Sequence, residues 1–247
     1  MAGSALAPAY RPGRRTAAGM NDDRGLRWHG MRVIARGANR ICVLHPGMPG
    51  DCLKYELRPV PGMRRYWRRM LRHYLSQPFP GLGLNATELA AWQRLHARLG
   101  DALEEHAAPC VGLIQTPAGP ALRSRLVADA RGDAAPTIAM LLEPGAPAMD
   151  PVSLGRALDR FEAWLLEHRI PLSDLNAGNL AVVEREGEPW LVCVDLKSTI
   201  SGRELIPLSR WSWSLMRNKI IRRCQRLRQR IGASPGETAL AEPPGLP

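Results

Sequence analysis

A chain of 247 residues, 45% hydrophobic and 23% charged, has the balance of a soluble globular protein, with room for one large domain or two small lobes. Its charge is lopsided: 34 basic residues against 23 acidic ones leave a net +11, and only Lys54, Lys197 and Lys219 among the basic residues are lysines. Five scattered cysteines (Cys42, Cys52, Cys110, Cys193, Cys224), none in a C-x-x-C, exclude a disulfide framework and a zinc finger and predict reduced thiols.

Residues 1–30 are rich in Ala, Gly, Pro and Arg without period and read as a disordered tail, as do residues 232–247 with their four prolines. The N-terminal stretch has no continuous apolar segment of a signal peptide, and no run approaches the ~20 residues of a membrane span. A cytoplasmic protein is expected.

From Met31 the pattern becomes strand-like. Met31–Ala35, Ile41–Leu44 and Cys52–Leu57 are short apolar runs split by Gly, Pro, Asn and Asp, which predicts an antiparallel meander. A basic segment, Gly62–Leu75, carries Tyr66, Trp67, Met70, Leu71 and Tyr74 at helical spacing. A second helix is expected from about Asn85 to Leu103, with Asn85 and Glu88 as a capping box. Cys110–Thr116 and Ala121–Asp129 read as two more strands. Asp150 and Pro151 then give a cap and a first-turn proline to a helix ending near Arg169, with Leu154, Leu158, Phe161 and Leu165 as its core stripe. Leu180–Val183 and Trp190–Val194 form a hairpin, and a last amphipathic helix covers Leu208–Ile231. Strands first and helices second is an α+β order.

The chemistry concentrates in two places. In the segment 173–180, Asp174 and Asn179 lie five apart on a loop that follows a helix, and Asp195 ends the next hairpin. Phosphoryl transfer from ATP needs such a set: a carboxylate to orient or deprotonate the attacking hydroxyl, and an amide and a carboxylate to hold magnesium. Asp174 is thus the candidate base, and Asn179 and Asp195 the candidate Mg2+ ligands. The competing reading is a polar loop in which Asp174 and Asn179 cap turns. Upstream, Lys54 near the end of the third strand is the candidate clamp on nucleotide phosphates, with Glu88 as its partner. Alternatively Lys54 is an edge-strand lysine facing water, and Glu88 serves only the capping box. Gly37, in the turn Gly37-Ala38-Asn39-Arg40, would cover the phosphates, although a plain hairpin turn also accounts for it.

These residues resemble the YrbL (PhoP regulatory network) family. The stretch from Gly37 to Lys54, with Arg40, Cys42, His45-Pro46 and Cys52-Leu53-Lys54, is similar to that family's opening motif. Glu167–Leu180 resembles its catalytic-loop equivalent, and Ile206-Pro207-Leu208 with Trp211-Ser212 its C-terminal signature. The resemblance implies a small two-lobed protein-kinase-like fold, akin to the lipopolysaccharide-core sugar kinases. The N-lobe would be an antiparallel sheet plus helix over about residues 31–129, and a reduced helical C-lobe would span about 130–231.

Three departures bear on activity. Leu172 stands where kinases place the histidine of H-R-D, Asp195-Leu196-Lys197 replaces D-F-G, and no A-P-E follows. Too little chain remains for a peptide-binding segment, so a small-molecule or glycan acceptor is expected rather than a protein. One alternative is a pseudokinase acting as a regulatory or binding module. Another is a basic membrane-surface or polyanion-binding protein, because residues 58–87 carry six arginines and residues 205–231 seven arginines and Lys219, neither stretch with an acid. Sequence-specific nucleic-acid reading is not expected, since no recognition motif is present.

Overall fold

The computed structural model describes residues 27–37, 39–58, 66, 67, 70, 71, 83–147, 149–172, 174–196 and 213–233. Six strands form one antiparallel sheet: β1 (Arg27–Trp28), β2 (Met31–Arg36), β3 (Arg40–Leu44), β4 (Asp51–Glu56), β5 (Cys110–Thr116) and β6 (Gly119–Arg125). Their spatial order is β1-β2-β3-β4-β6-β5. A second sheet is the hairpin of β7 (Leu180–Arg185) and β8 (Glu188–Cys193). The α-helices with described ranges are α1 (Leu84–Leu99), the short α2 (Ile138–Leu141), α3 (Pro151–Glu167) and α4 (Trp213–Gly232). The protein is α+β, as its order of elements predicts.

Alternation explains the large sheet. Ile41 and Val43 on β3 stand opposite Tyr55 and Leu53 on β4. With Val33 and Ala121 these side chains form a small core on one face. The other face of β3 and β4 carries Arg40, Cys42, Cys52 and Lys54, where an apolar layer would ordinarily continue. β4 lies between β3 and β6, so Lys54 is on a central strand, and the edge-strand reading of this lysine falls.

Helix α1 covers that polar face. Its inward stripe is Asn85, Glu88, Ala91 and Leu95, polar in the first turns and apolar afterwards, which matches what each half meets. The helix starts at Leu84 behind Gly83, and no side chain caps it. The capping box expected of Asn85 and Glu88 is therefore absent, because both side chains turn inward to tertiary partners. Gly100, with φ +57°, ends the helix, and a 3-10 turn over Gly100–Leu103 replaces the last turn expected from sequence.

The second and larger core gathers around α3. Asp150 accepts hydrogen bonds from the amides of Val152 and Ser153, and Pro151 follows as N1, as expected. Leu154, Leu158, Phe161 and Leu165 are buried against Leu180, Val182 and Leu191 of the hairpin and Met216, Ile220, Cys224, Leu227 and Ile231 of α4. Arg228 of α4 bonds Asp159 and Glu162 of α3, closing one side of this helix pair. The β7–β8 turn places Glu186 and Gly187 at φ +53° and +78°, the left-handed pair that a two-residue hairpin requires. No helix among the described residues is long and apolar enough to cross a membrane.

Boundaries differ in detail. The chain enters the sheet at Arg27–Trp28, inside the segment expected to be tail. β6 begins at Gly119 and ends at Arg125 rather than running from Ala121 to Asp129. Of the basic segment Gly62–Leu75, only Tyr66, Trp67, Met70 and Leu71 are described; they are helical, with Trp67 and Leu71 exposed. The Ile206–Ser212 signature, Ser173 and Lys197 lie outside the described residues.

Where the two sheets meet, His106 is buried, bonded through Nδ1 to the Leu191 carbonyl (2.6 Å) and stacked on Trp190 at 4.5 Å. Burial lowers its pKa, and Arg185 and Arg160 add to the fall, while the Leu191 carbonyl and Glu105 oppose it. A histidine held neutral in the fold and free to charge when unfolded contributes stability above its unfolded pKa, near 6.5, that is lost as pH falls. Urea unfolding should therefore show stability dropping from pH 7 to pH 5. His106→Gln should flatten part of that slope, and an unchanged slope would acquit this residue.

Candidate functional site

The polar face of β3 and β4 meets α1 and the end of β8 at one cluster of charges. Lys54 donates from Nζ to Glu88 Oε1 (2.7 Å) and to the Val194 carbonyl (2.7 Å). Arg40 donates one nitrogen to Glu88 Oε2 and to Asn85 Oδ1, and the other to Asp195 Oδ1 at 2.7 Å. Asn85 completes the frame by donating to the Lys54 carbonyl at 2.7 Å. Glu88 is only 1% exposed, so one buried carboxylate holds two cations, one on each oxygen.

Burial pushes Lys54 toward its neutral amine, the Glu88 carboxylate is the strongest influence in the opposite sense, and the net pKa lies above the usual lysine value. Arg40 is likewise held charged against its burial by Glu88 and Asp195. Thiols fill the space around these charges. Cys110 and Cys193 are pushed up to about 12 by burial, so they stand as neutral packing groups, and the described cysteines are free.

The loop beneath is built separately and then joined. Leu172, Leu175 and Ala177 are buried and anchor it in the larger core. Asn176 caps the 3-10 turn Ala177–Asn179 by accepting from the Gly178 amide, and its own amide nitrogen reaches Asp174 Oδ1 at 3.2 Å. Asn179 donates from Nδ2 to the Asp174 carbonyl (3.0 Å). The Asn179 carbonyl accepts from the Val194 amide (2.9 Å), the residue before Asp195. Arg223 of α4 reaches the Leu175 carbonyl at 3.4 Å, which sets α4 beside this loop.

Five of the six residues singled out from sequence thus form one chain of contacts: Lys54 with Glu88, both bridged through Arg40 and Val194 to Asp195, then Asn179, then Asp174. Gly37 stands apart. Its amide closes the β2–β3 turn on the Arg40 carbonyl (2.8 Å), and its backbone does not need the left-handed region. Arg40 and Asn85 were missed as site residues. A period-two reading finds Arg40: register sets Arg40 opposite Glu56 and Cys42 opposite Lys54, so Arg40 and Lys54 are diagonal neighbours on one face. Nothing local in the sequence distinguishes an inward Asn85 from a helix cap.

Asn179 and Asp195 are the residues that could hold a hard cation: Asn179 bonds the Asp174 carbonyl through Nδ2 and the Val194 amide through its main-chain carbonyl, and the Asp195 carboxylate, next along the chain, is held by Arg40. Magnesium keeps several waters and needs few protein oxygens. Among the described residues, no group of three or more His, Cys, Asp or Glu gathers in a way that could hold a metal.

Compared with known proteins, the chain matches the family model described as PhoP regulatory network protein YrbL over residues 27–232. No curated protein is a significant match.

Proposed function

The chain belongs to the YrbL family, and on that footing we propose that it is an ATP-dependent, kinase-like phosphotransferase acting on a small-molecule or saccharide hydroxyl. The observation that carries this reading is the buried Lys54–Glu88 pair, linked on one side to Asp195 and through Val194 to the Asn179 loop. A buried lysine needs a strong reason to be there, and a pre-aligned ammonium beside a carboxylate and an amide suits a polyphosphate. The smaller and larger cores would be the two lobes, with nucleotide between them.

In this mechanism Lys54 holds the α- and β-phosphates, kept in place by Glu88. Asn179 and Asp195 would hold Mg2+, which when bound neutralises the phosphate oxygens. Asp174 is half-buried at the surface of the loop and takes the proton of the acceptor hydroxyl. Gly37 would contribute only backbone near the phosphates. Exposed Arg222, Arg226 and Arg230 lie on α4, the helix that Arg223 ties to the catalytic loop, so an anionic acceptor or an anionic membrane surface carrying it fits this side. A cytoplasmic enzyme would have ATP at hand.

A second reading has its own observation. Arg40 engages the carboxylate assigned to magnesium, and a pseudokinase that binds without turnover would tolerate that. Turnover decides between them: release of ADP from ATP with an added acceptor, abolished in Asp174→Asn, supports the enzyme. Nucleotide binding with no turnover for any acceptor would support the binding module.

A further inference from the structure

We propose that Arg40 is a phosphate-binding residue of this site, parked on Asp195 until a divalent cation takes that carboxylate. The inference rests on the phosphotransferase reading and adds a residue and an order of events to it.

The argument is one of charge. Among the described residues, Lys54 and Arg40 both pair with Glu88, and Arg40 also with Asp195, so two cations are matched there by two anions. A divalent cation at Asp195 would leave that set with an excess of two positive charges at low solvent exposure. Such an excess is costly unless an anion arrives with the metal. A phosphate chain is that anion, and a planar guanidinium is the side chain best shaped to bind it at two oxygens.

Position agrees with charge. Arg40 is the first residue of β3, directly after the turn at Gly37 and Asn39, and shares a sheet face with Lys54. This turn has one glycine where a glycine-rich phosphate loop has several. Arg40 would add side-chain donors for phosphate beside it. Glu88 keeps the arginine oriented after Asp195 lets go, as it does Lys54.

The test uses the full chain and two variants, Arg40→Gln and Arg40→Lys, with Mn2+ alone, ATP with Mg2+, and inorganic pyrophosphate with Mg2+ as probes. Removing the resident cation should tighten Mn2+ binding in Arg40→Gln by about tenfold or more. It should weaken ATP and pyrophosphate binding by a similar factor, each tenfold being ~1.4 kcal/mol. Arg40→Lys keeps the charge without the fork and should fall between, which preserves the test if Arg40→Gln does not fold. Unchanged Mn2+ and pyrophosphate affinities in a folded variant would overturn the proposal and leave a purely structural ion pair. If the wild type binds pyrophosphate through Arg40 but not ATP, the phosphate role stands and the ATP reading falls. If ATP binds equally to wild type and variant, the ATP reading stands and the Arg40 role falls. Failure of the wild type to bind any phosphate probe overturns both.

Discussion

Glu88→Gln should destabilise the protein by about 3–5 kcal/mol, a large part of the 5–15 kcal/mol that holds a typical domain folded. The cause is local and electrostatic. Among the described residues Glu88 is the one carboxylate that touches both Lys54 and Arg40, and all three side chains are at most 10% exposed. Glutamine keeps the shape and one acceptor oxygen but removes the charge. Arg40 then keeps its bond to Asp195 and Lys54 its bond to the Val194 carbonyl, but the charge that both shared is gone. Breaking a buried pair by neutralising one partner costs far more than the pair itself contributes, because an uncompensated charge remains. Urea denaturation measures this directly as a lower midpoint with an unchanged slope. A loss below about 1 kcal/mol is what an exposed ion pair gives, and would mean that water reaches Glu88.

The second large effect is on rate. If the chain is the proposed phosphotransferase, Asp174→Asn should lower turnover by roughly 10²–10⁴ through loss of the proposed base, with nucleotide binding and fold retained. The loop should survive because its structural bonds do not need the charge. Asn179 bonds the Asp174 main-chain carbonyl, and the Asn176 amide can donate to an amide oxygen as well as to a carboxylate. Asp195→Asn should behave differently, weakening magnesium-dependent nucleotide binding itself. Steady-state kinetics with parallel binding titrations separates the two. Equal loss of binding in both variants, with folding intact, would show that the roles are wrongly divided.

How far the sequence reveals this site depends on which interactions are local. The α3 start was legible because Asp150 and Pro151 act on their own helix, and its stripe has a period that only a helix satisfies. The pairing of Lys54 with Glu88 was legible because a lysine in an apolar strand needs a partner. Asn85 misled for the opposite reason: as a cap it would bond its own helix, but its amide oxygen accepts from Arg40 and its amide nitrogen donates to the Lys54 carbonyl, both on the sheet. Arg40 belonged to the recognised opening motif, yet its role depends on Asp195, 155 positions away, and no local pattern carries that. The short strand Arg27–Trp28 was hidden because its neighbours have tail-like composition, and its order comes from pairing with Arg32 and Met31.

The most direct test of the central claim, a nucleotide-phosphate site built on Lys54, Glu88 and Asp195, is the thermal unfolding of the full chain with ATP, with and without Mg2+. At about 100 times the dissociation constant, ligand binding adds ~2.7 kcal/mol to stability, which appears as a clear rise in Tm. The predicted result is a rise that needs both ATP and Mg2+, is absent with adenosine, and is lost in Lys54→Met. No rise at saturating ATP with Mg2+, in a wild-type protein that unfolds cooperatively, would contradict the claim.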